Sequence, residues 1–287
     1  MMVVDNVSTK IKFLPQSNLQ NLNITWLHHY KQEDRTFVYS IGKIASNYFL
    51  KFNYAEFIIN PTSNEISCYP NTSNQALIEN TIHHRVIPLL LNHKDVDVIH
   101  ASSILIGNKV IVLIGSSGHG KSTIAASLIK EGHKLIADDA VPLLLENNDI
   151  KTMNGLPKIS LRSQSIELFP SHKKDFISKS KAIITLQDKE YITGSFKINY
   201  LYFLKPDIDT SKICIKKISK KETIVELIKS SHKLEINNID MIKNQFIRLS
   251  KVAEIIEASY IIYPKDNFNP KEICFNVLGK THANQIH

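Results

Sequence analysis

The residues best suited to chemistry are Gly115-Ser116-Ser117-Gly118-His119-Gly120-Lys121-Ser122, which fit the pattern G-x-x-x-x-G-K-S/T. Glycines at this spacing let backbone N–H groups close around phosphate oxygens, helped by the positive end of a helix that follows. In such a loop Lys121 reaches the β/γ-phosphates and the Ser122 hydroxyl ligates Mg²⁺, with Thr123 closing the binding stretch. The competing reading is an ordinary glycine-rich turn with a solvent-exposed lysine. A second feature lies a short way on, where the apolar run Lys134–Ala137 ends in Asp138-Asp139. Beside a phosphate loop, one carboxylate can hold Mg²⁺ while the other accepts a proton from an attacking hydroxyl. Like charges in contact raise one pKa, so the pair needs cations nearby. Its alternative is a helix cap followed by a surface acid.

These residues need elements to position them. Ile111–Ile114 reads as a buried strand, and residues 123–130 place Ile124, Ala125, Leu128 and Ile129 on one helical face. Upstream, Val96–Ile106 and the turn Gly107-Asn108-Lys109 read as a hairpin entering the phosphate-loop strand. His100 falls on that apolar strand, where a histidine is ordinarily a hydrogen-bonded core residue. Residues 147–168 read as a hairpin, a loop and a polar stretch holding Arg162, which suits phosphate or peptide acid groups and equally suits a plain surface. Residues 170–195, with Lys173, Lys174, Lys179, Lys181 and Lys189, read as a mobile loop, a lid over an anion being the minority alternative. Strands follow at 199–204, stopped by Lys205-Pro206, at 213–218 and at 259–263. Helices are expected at 221–230, at 239–256 with Ile242, Phe246, Leu249, Val252, Ala253 and Ile256 as a core stripe, and from Asn269-Pro270 onward.

Residues 1–90 show short β-rich runs and polar turns and are expected to form a small, mostly β domain, leaving 91–287 for the phosphate-loop domain. A helix is expected from Gln75 to Leu91, bent by Pro88. His28-His29 and His83-His84 are adjacent pairs whose side chains point apart, so they do not suggest metal ligation. A hydrophobic fraction of 43% with 22% charged residues fits a globular chain and excludes long disorder. The net charge of +8 favours an anionic partner without choosing among nucleotide, acidic peptide and nucleic acid. Cys68, Cys214 and Cys274 form no C-x-x-C pair, which fits buried thiols in a reducing interior and speaks against structural zinc. The start of the chain shows no secretory pattern, and Val96–Ile114 is interrupted by polar residues too often to span a bilayer, so a cytoplasmic protein without a membrane partner is expected. Neither an Asn-Lys-x-Asp nor a Leu-Ser-Gly-Gly-Gln motif is present, which disfavours a GTPase and a transporter-type ATPase.

His100-Ala101-Ser102-Ser103, leading into Gly115–Thr123 and then Gly132–Val141 with its Asp138-Asp139, resembles the HPr kinase/phosphorylase C-terminal domain over roughly residues 96–145. The resemblance implies an α/β fold with a phosphoenolpyruvate-carboxykinase-like core, Mg²⁺-dependent transfer of phosphate from ATP to a seryl hydroxyl, and homo-oligomers. By matching position it implies Asp138 as general base, Asp139 as a second acid near the metal with Ser122, and His100 as the histidine beside the base. Thr123 stands where the family has an acidic residue, and no Glu-x-Arg-Gly follows Asp139, which argues against the reverse, dephosphorylating reaction and against HPr as the acceptor. The β-rich start, the His-Ala-Ser-Ser form and Gly155–Leu161 look more like a divergent branch that phosphorylates the C-terminal serine of lasso-peptide precursors. The expectation is therefore an ATP- and Mg²⁺-dependent serine kinase acting on a peptide or protein. Two other classes stand beside it: a nucleotide-binding sensor or scaffold without an acceptor, and a nucleic-acid-dependent ATPase. The second lacks the interleaved aromatic and basic pattern of a strand-binding surface.

Overall fold

A computed structural model describes residues 9–19, 22–31, 37–232 and 238–283. Contacts group Met1–Val96 with His232–Gln245 as one unit and Asp97–Ser231 with Phe246–His287 as another, whereas the sequence reading divides the chain once, at residue 90. In the first unit the strands are β1 (Lys10–Phe13), β2 (Thr25–Lys31), β3 (Phe37–Ile44), β4 (Asn47–Lys51), β5 (Ala55–Asn60) and β6 (Glu65–Pro70). They form one sheet in the order β1-β6-β5-β4-β3-β2. Alternation explains how it holds: on β5, Ala55, Phe57 and Ile59 are buried while their neighbours are half-buried. Behind the sheet strands in sequence come α1 (Gln75–Thr81), a π-helical turn over Ile82–Val86 and α2 (Ile87–His93). Pro88 sits in the first turn of α2, directly after the π-helical turn that joins it to α1.

The second unit is mixed α/β. Its elements are β7 (Asp97–Ile99), β8 (Ala101–Ile106), β9 (Lys109–Ile114), α3 (Lys121–Lys130), β10 (Lys134–Asp138), β11 (Val141–Glu146), β12 (Asp149–Met153), β13 (Lys158–Arg162) and α4 (Ser163–Ile166). There follow β14 (Lys174–Ser178), β15 (Lys181–Thr185), β16 (Ser195–Lys197), β17 (Tyr200–Asp207), β18 (Cys214–Lys217), α5 (Lys220–Ser230), the part of α6 (Ile239–Ile255) from Phe246 onward, β19 (Glu257–Pro264) and α7 (Pro270–Ala283). The main sheet runs β10-β8-β9-β17-β19-β18, with β9, β17 and β19 parallel. Both faces of its central strand are buried, as a continuous apolar run requires. Ile111 and Leu113 face a core that includes Ile124, Leu128, Ile273 and Val277, while Val110, Val112 and Ile114 face Leu227, Leu249 and Val252. Each such leucine or isoleucine contributes about 1.5–3 kcal/mol by burial, and five of the six residues of the phosphate-loop strand are buried.

Several sequence expectations change here, among them the burial of all three cysteines: Cys68 and Cys274 are buried, but Cys214, on the edge strand β18, is exposed. The apolar run Val96–Ile106 is two strands rather than one, because β7 leaves to pair with β11 in a separate four-stranded sheet, and His100 occupies the break. The lysine-rich segment is no mobile loop: β14 and β15 form a hairpin that pairs with β13, and the buried Ala182-Ile183-Ile184 anchors it while lysines occupy the strand ends. On α6, Leu249, Val252 and Ala253 are buried, but Ile242 and Phe246 are exposed, so the apolar stripe is longer than the core it meets. Strand β17 also runs on through Lys205 and Pro206, paired with β19 to Asp207.

Candidate active site

The loop between β9 and α3 opens at the carboxyl end of a parallel strand, the edge where α/β sheets take their ligands. Several contacts hold its shape without a ligand. The His119 ring donates from Nδ1 to the Leu204 carbonyl at 3.1 Å, and Tyr263 donates its hydroxyl to the His119 carbonyl at 2.6 Å. Gly120 adopts φ +80°, a left-handed backbone, and a Cβ there would lie 2.5 Å from Phe268 Cζ. We expect Gly120→Ala to cost roughly 1–2 kcal/mol from backbone strain alone and to weaken nucleotide binding. Combining it with Phe268→Ala, read by thermal melts and nucleotide titration, should recover only the steric part.

Lys121 begins α3 and is only 4% exposed. Its ammonium donates to the Gly115 carbonyl at 2.8 Å, the Ser116 carbonyl at 3.3 Å and His100 Nε2 at 3.0 Å. His100 Nδ1 in turn donates to the Asp139 carbonyl at 3.1 Å, with the Asp139 carboxylate 3.7 Å away. Because a carbonyl only accepts and an ammonium only donates, these partners fix His100 as the neutral Nδ1–H tautomer. His100 is brought here by the break between β7 and β8, and its N–H donates to the Ser230 carbonyl at the end of α5.

Asp138 closes β10 at 5% exposure. Antiparallel pairing sets Asp138 opposite Ser102, and the Ser102 hydroxyl donates to Oδ1 at 2.6 Å. Ser122 donates to the same oxygen at 3.0 Å, and the Ser160 N–H on β13 donates to Oδ2 at 3.0 Å. Burial first, and the neighbouring Asp139 second, push the Asp138 carboxyl up to about 6 against the pull of these three donors. A carboxyl raised in the fold holds its proton longer than in the unfolded chain, so its stabilising contribution is present below the unfolded value near 4 and is lost as pH rises toward 6. Asp138→Asn removes that dependence. In chelator and without nucleotide, the melting temperature of the variant minus that of the wild type should climb between pH 4 and pH 6 and then level; a flat difference would show an unshifted carboxyl.

Asp139 follows with φ +64°, which turns its side chain away from that of Asp138 toward His100 and Lys181, whose ammonium is 3.5 Å from Oδ2. Lys181 stands opposite Arg162 in the β13–β15 register. Arg162 reaches the loop itself, with Nη2 3.4 Å from the Ser117 hydroxyl. The structure thus gathers His100, Lys121, Ser122, Asp138 and Asp139 and sets Arg162 beside the loop, while Thr123 turns its hydroxyl to Ser165 at 2.8 Å. Ser102, Ser160 and Lys181 were missed from sequence. Ser102 carries a usable signal, two residues after His100 in an extended run; Ser160 and Lys181 carry none, since only sheet pairing delivers them. Hard oxygen donors from Ser122, Asp138 and Asp139 suit Mg²⁺. Among the described residues there is no cluster of three or more His, Cys, Asp and Glu that could hold a metal ion.

Residues 93–165 match the family of the HPr Serine kinase C-terminal domain. An HPr kinase/phosphorylase of Prosthecochloris aestuarii is 38% identical over 56 residues, covering 20% of this chain and 16% of that protein. That of Clostridium kluyveri is 38% identical over 82 residues (27% and 24%), and that of Bacillus pumilus 51% over 39 residues (14% and 13%). The chain therefore spans about a quarter or less of the length of these curated relatives. The solved Hpr(Ser) kinase/phosphatase from Coxiella burnetii superposes with a TM-score of 0.39 at 15% identity, over 66% of this chain and 92% of that one. The chain is HPr-kinase-like over residues 93–165, the stretch that holds both the phosphate loop and the acidic pair.

Proposed function

We propose that this protein is an ATP- and Mg²⁺-dependent kinase that phosphorylates a seryl hydroxyl of a peptide or protein. The observation that carries the reading is a pair of hydrogen-bonded couples at the two residues that open α3, Lys121 with His100 at 3.0 Å and Ser122 with Asp138 at 3.0 Å, at the mouth of one loop. In the proposed reaction the acceptor oxygen forms a bond to the γ-phosphorus, the bond from that phosphorus to the β–γ bridging oxygen breaks, and ADP leaves. The hydroxyl proton passes to a carboxylate. A bound Mg²⁺ would supply charge neutralisation at the β/γ-oxygens, held from the protein side by Ser122 and Asp139.

Each side chain has work in this scheme. Lys121 leaves the loop carbonyls to meet phosphate oxygens. Asp138 takes the proton, a role its raised carboxyl supports, since an acceptor titrating near 6 is better matched to neutral conditions than an ordinary aspartate. His100, neutral, keeps Lys121 and the Asp139 backbone in register. Arg162, beside Ser117, and Lys181, beside Asp139, would offer cationic charge to the negative charge of the transferred group. The finer proposal, the C-terminal serine of a lasso-type precursor peptide, is supported only by the likeness of the His100–Ser103 and Gly155–Leu161 stretches.

Incubation with γ-labelled ATP, Mg²⁺ and serine peptides tests the reading: label on serine is expected. Nucleotide binding with no transfer to any acceptor would leave a sensor or scaffold, and hydrolysis stimulated by added DNA or RNA would favour a nucleic-acid-dependent ATPase.

A further inference from the structure

A cavity of about 420 Å³ opens beside the phosphate loop within the second unit. Its inner end is made by His100, Gly115 and Ser116, the three residues that receive the Lys121 ammonium. Lysine at this motif position reaches the β/γ-phosphates, so the cavity lies at the terminal-phosphate end of a bound nucleotide. The group that receives the phosphoryl must approach from beyond the terminal phosphorus, roughly in line with the leaving oxygen. His100, which lines this space, accepts from Lys121 at 3.0 Å and donates to the Asp139 carbonyl at 3.1 Å, so the cavity adjoins the acidic pair.

The walls define what would fit. Phe203 and Tyr260 pack edge to face with ring centroids 6.2 Å apart, giving an aromatic side. Lys229 and the Tyr260 hydroxyl both donate to Glu226 Oε1, at 2.8 and 3.3 Å, which answers the cavity's acid from within. Lys205, kept in place because β17 continues past residue 204, lies 5.4 Å over the Tyr260 ring and leaves the rim with an excess of positive charge. The volume falls in the range of small-ligand pockets and holds a few extended residues; a folded surface would not enter it.

We propose that this cavity is the acceptor subsite and that it takes a short extended segment carrying a carboxylate next to the phosphorylated serine, the carboxylate being read by Lys205 and Lys229. This rests on the kinase reading above. The bonds made and broken are those already given; the cavity contributes only position and charge.

The test uses the full chain and four serine peptides of equal length: one with an aspartate beside the serine, one with lysine there, one neutral with a free C-terminal carboxylate after the serine, and that last peptide as its amide. Acidic peptides are expected to exceed the lysine peptide by about tenfold or more in kcat/KM, as a rim charge of matched sign provides. The free-acid and amide arms tell a terminal carboxylate from a side-chain one. In the double variant Lys205→Glu, Lys229→Glu the preference should invert, while the Kd of a fluorescent ATP analogue moves much less. Loss of nucleotide affinity instead would make the cavity a nucleoside pocket and overturn the proposal, as would equal use of all four peptides. Should the wild type transfer no label, the kinase reading fails on its own, and fluorescence anisotropy with the labelled aspartate peptide still decides the cavity: binding by the wild type and not by the double variant upholds it, and no binding overturns it.

Discussion

Replacement of Lys121 by alanine is expected to reduce phosphoryl transfer by on the order of 10³-fold or more, the scale on which a single preorganised charge at the reacting group acts. The residue is buried to 4% exposure and its ammonium is already surrounded by the Gly115 and Ser116 carbonyls and by His100, so the site holds a cation in a desolvated place before nucleotide arrives. Moving that ammonium onto phosphate oxygens exchanges neutral acceptors for charged ones, and the gain is largest when charge spreads over the transferred group. Alanine also leaves loop carbonyls without their donor. Lys121→Met loses the donor as well but keeps the packing of the stem, so it isolates the packing loss: both variants should be inactive, and the alanine variant should melt lower than the methionine one. Transfer by Lys121→Met within about tenfold of wild type would remove the lysine from the mechanism.

Asp138→Asn is expected to keep nucleotide binding and to lose transfer by roughly 10²- to 10⁴-fold, the range that positioned proton transfer supplies. The amide can still accept from Ser102 and Ser122 through one oxygen, but its NH₂ then meets the Ser160 N–H, and two donors face each other. That clash costs about 1–3 kcal/mol, so melts must accompany the kinetics to show that the lost rate is not lost fold. Asp139→Asn provides the comparison. The proposed place of Asp139 beside the metal predicts that its variant needs more Mg²⁺ and approaches normal turnover when saturated. If Asp138→Asn shows the raised Mg²⁺ requirement while Asp139→Asn is dead at every Mg²⁺ concentration, the two carboxylates exchange jobs, an outcome the 3.0 Å contact between Ser122 and Asp138 makes worth measuring.

The chain by itself determined whatever depends on neighbours in sequence. A strand, six loop residues and a helix are contiguous, so the phosphate-loop motif and its lysine could be read directly, and the acidic pair stands at the end of the very next strand. Tertiary structure alone decided the rest. His100 reaches Lys121 because two sheets divide the apolar run it sits in, a choice made by where β7 finds a partner and invisible to hydropathy. Ser160 and Lys181 arrive on a three-stranded sheet whose lysines masked its buried Ala182-Ile183-Ile184, so local composition spoke for solvent while pairing spoke for order. Sequence lists which groups are present, but the distance between groups far apart in the chain, and with it the raised carboxyl of Asp138 and the cavity at Gly115, follows only from long-range packing.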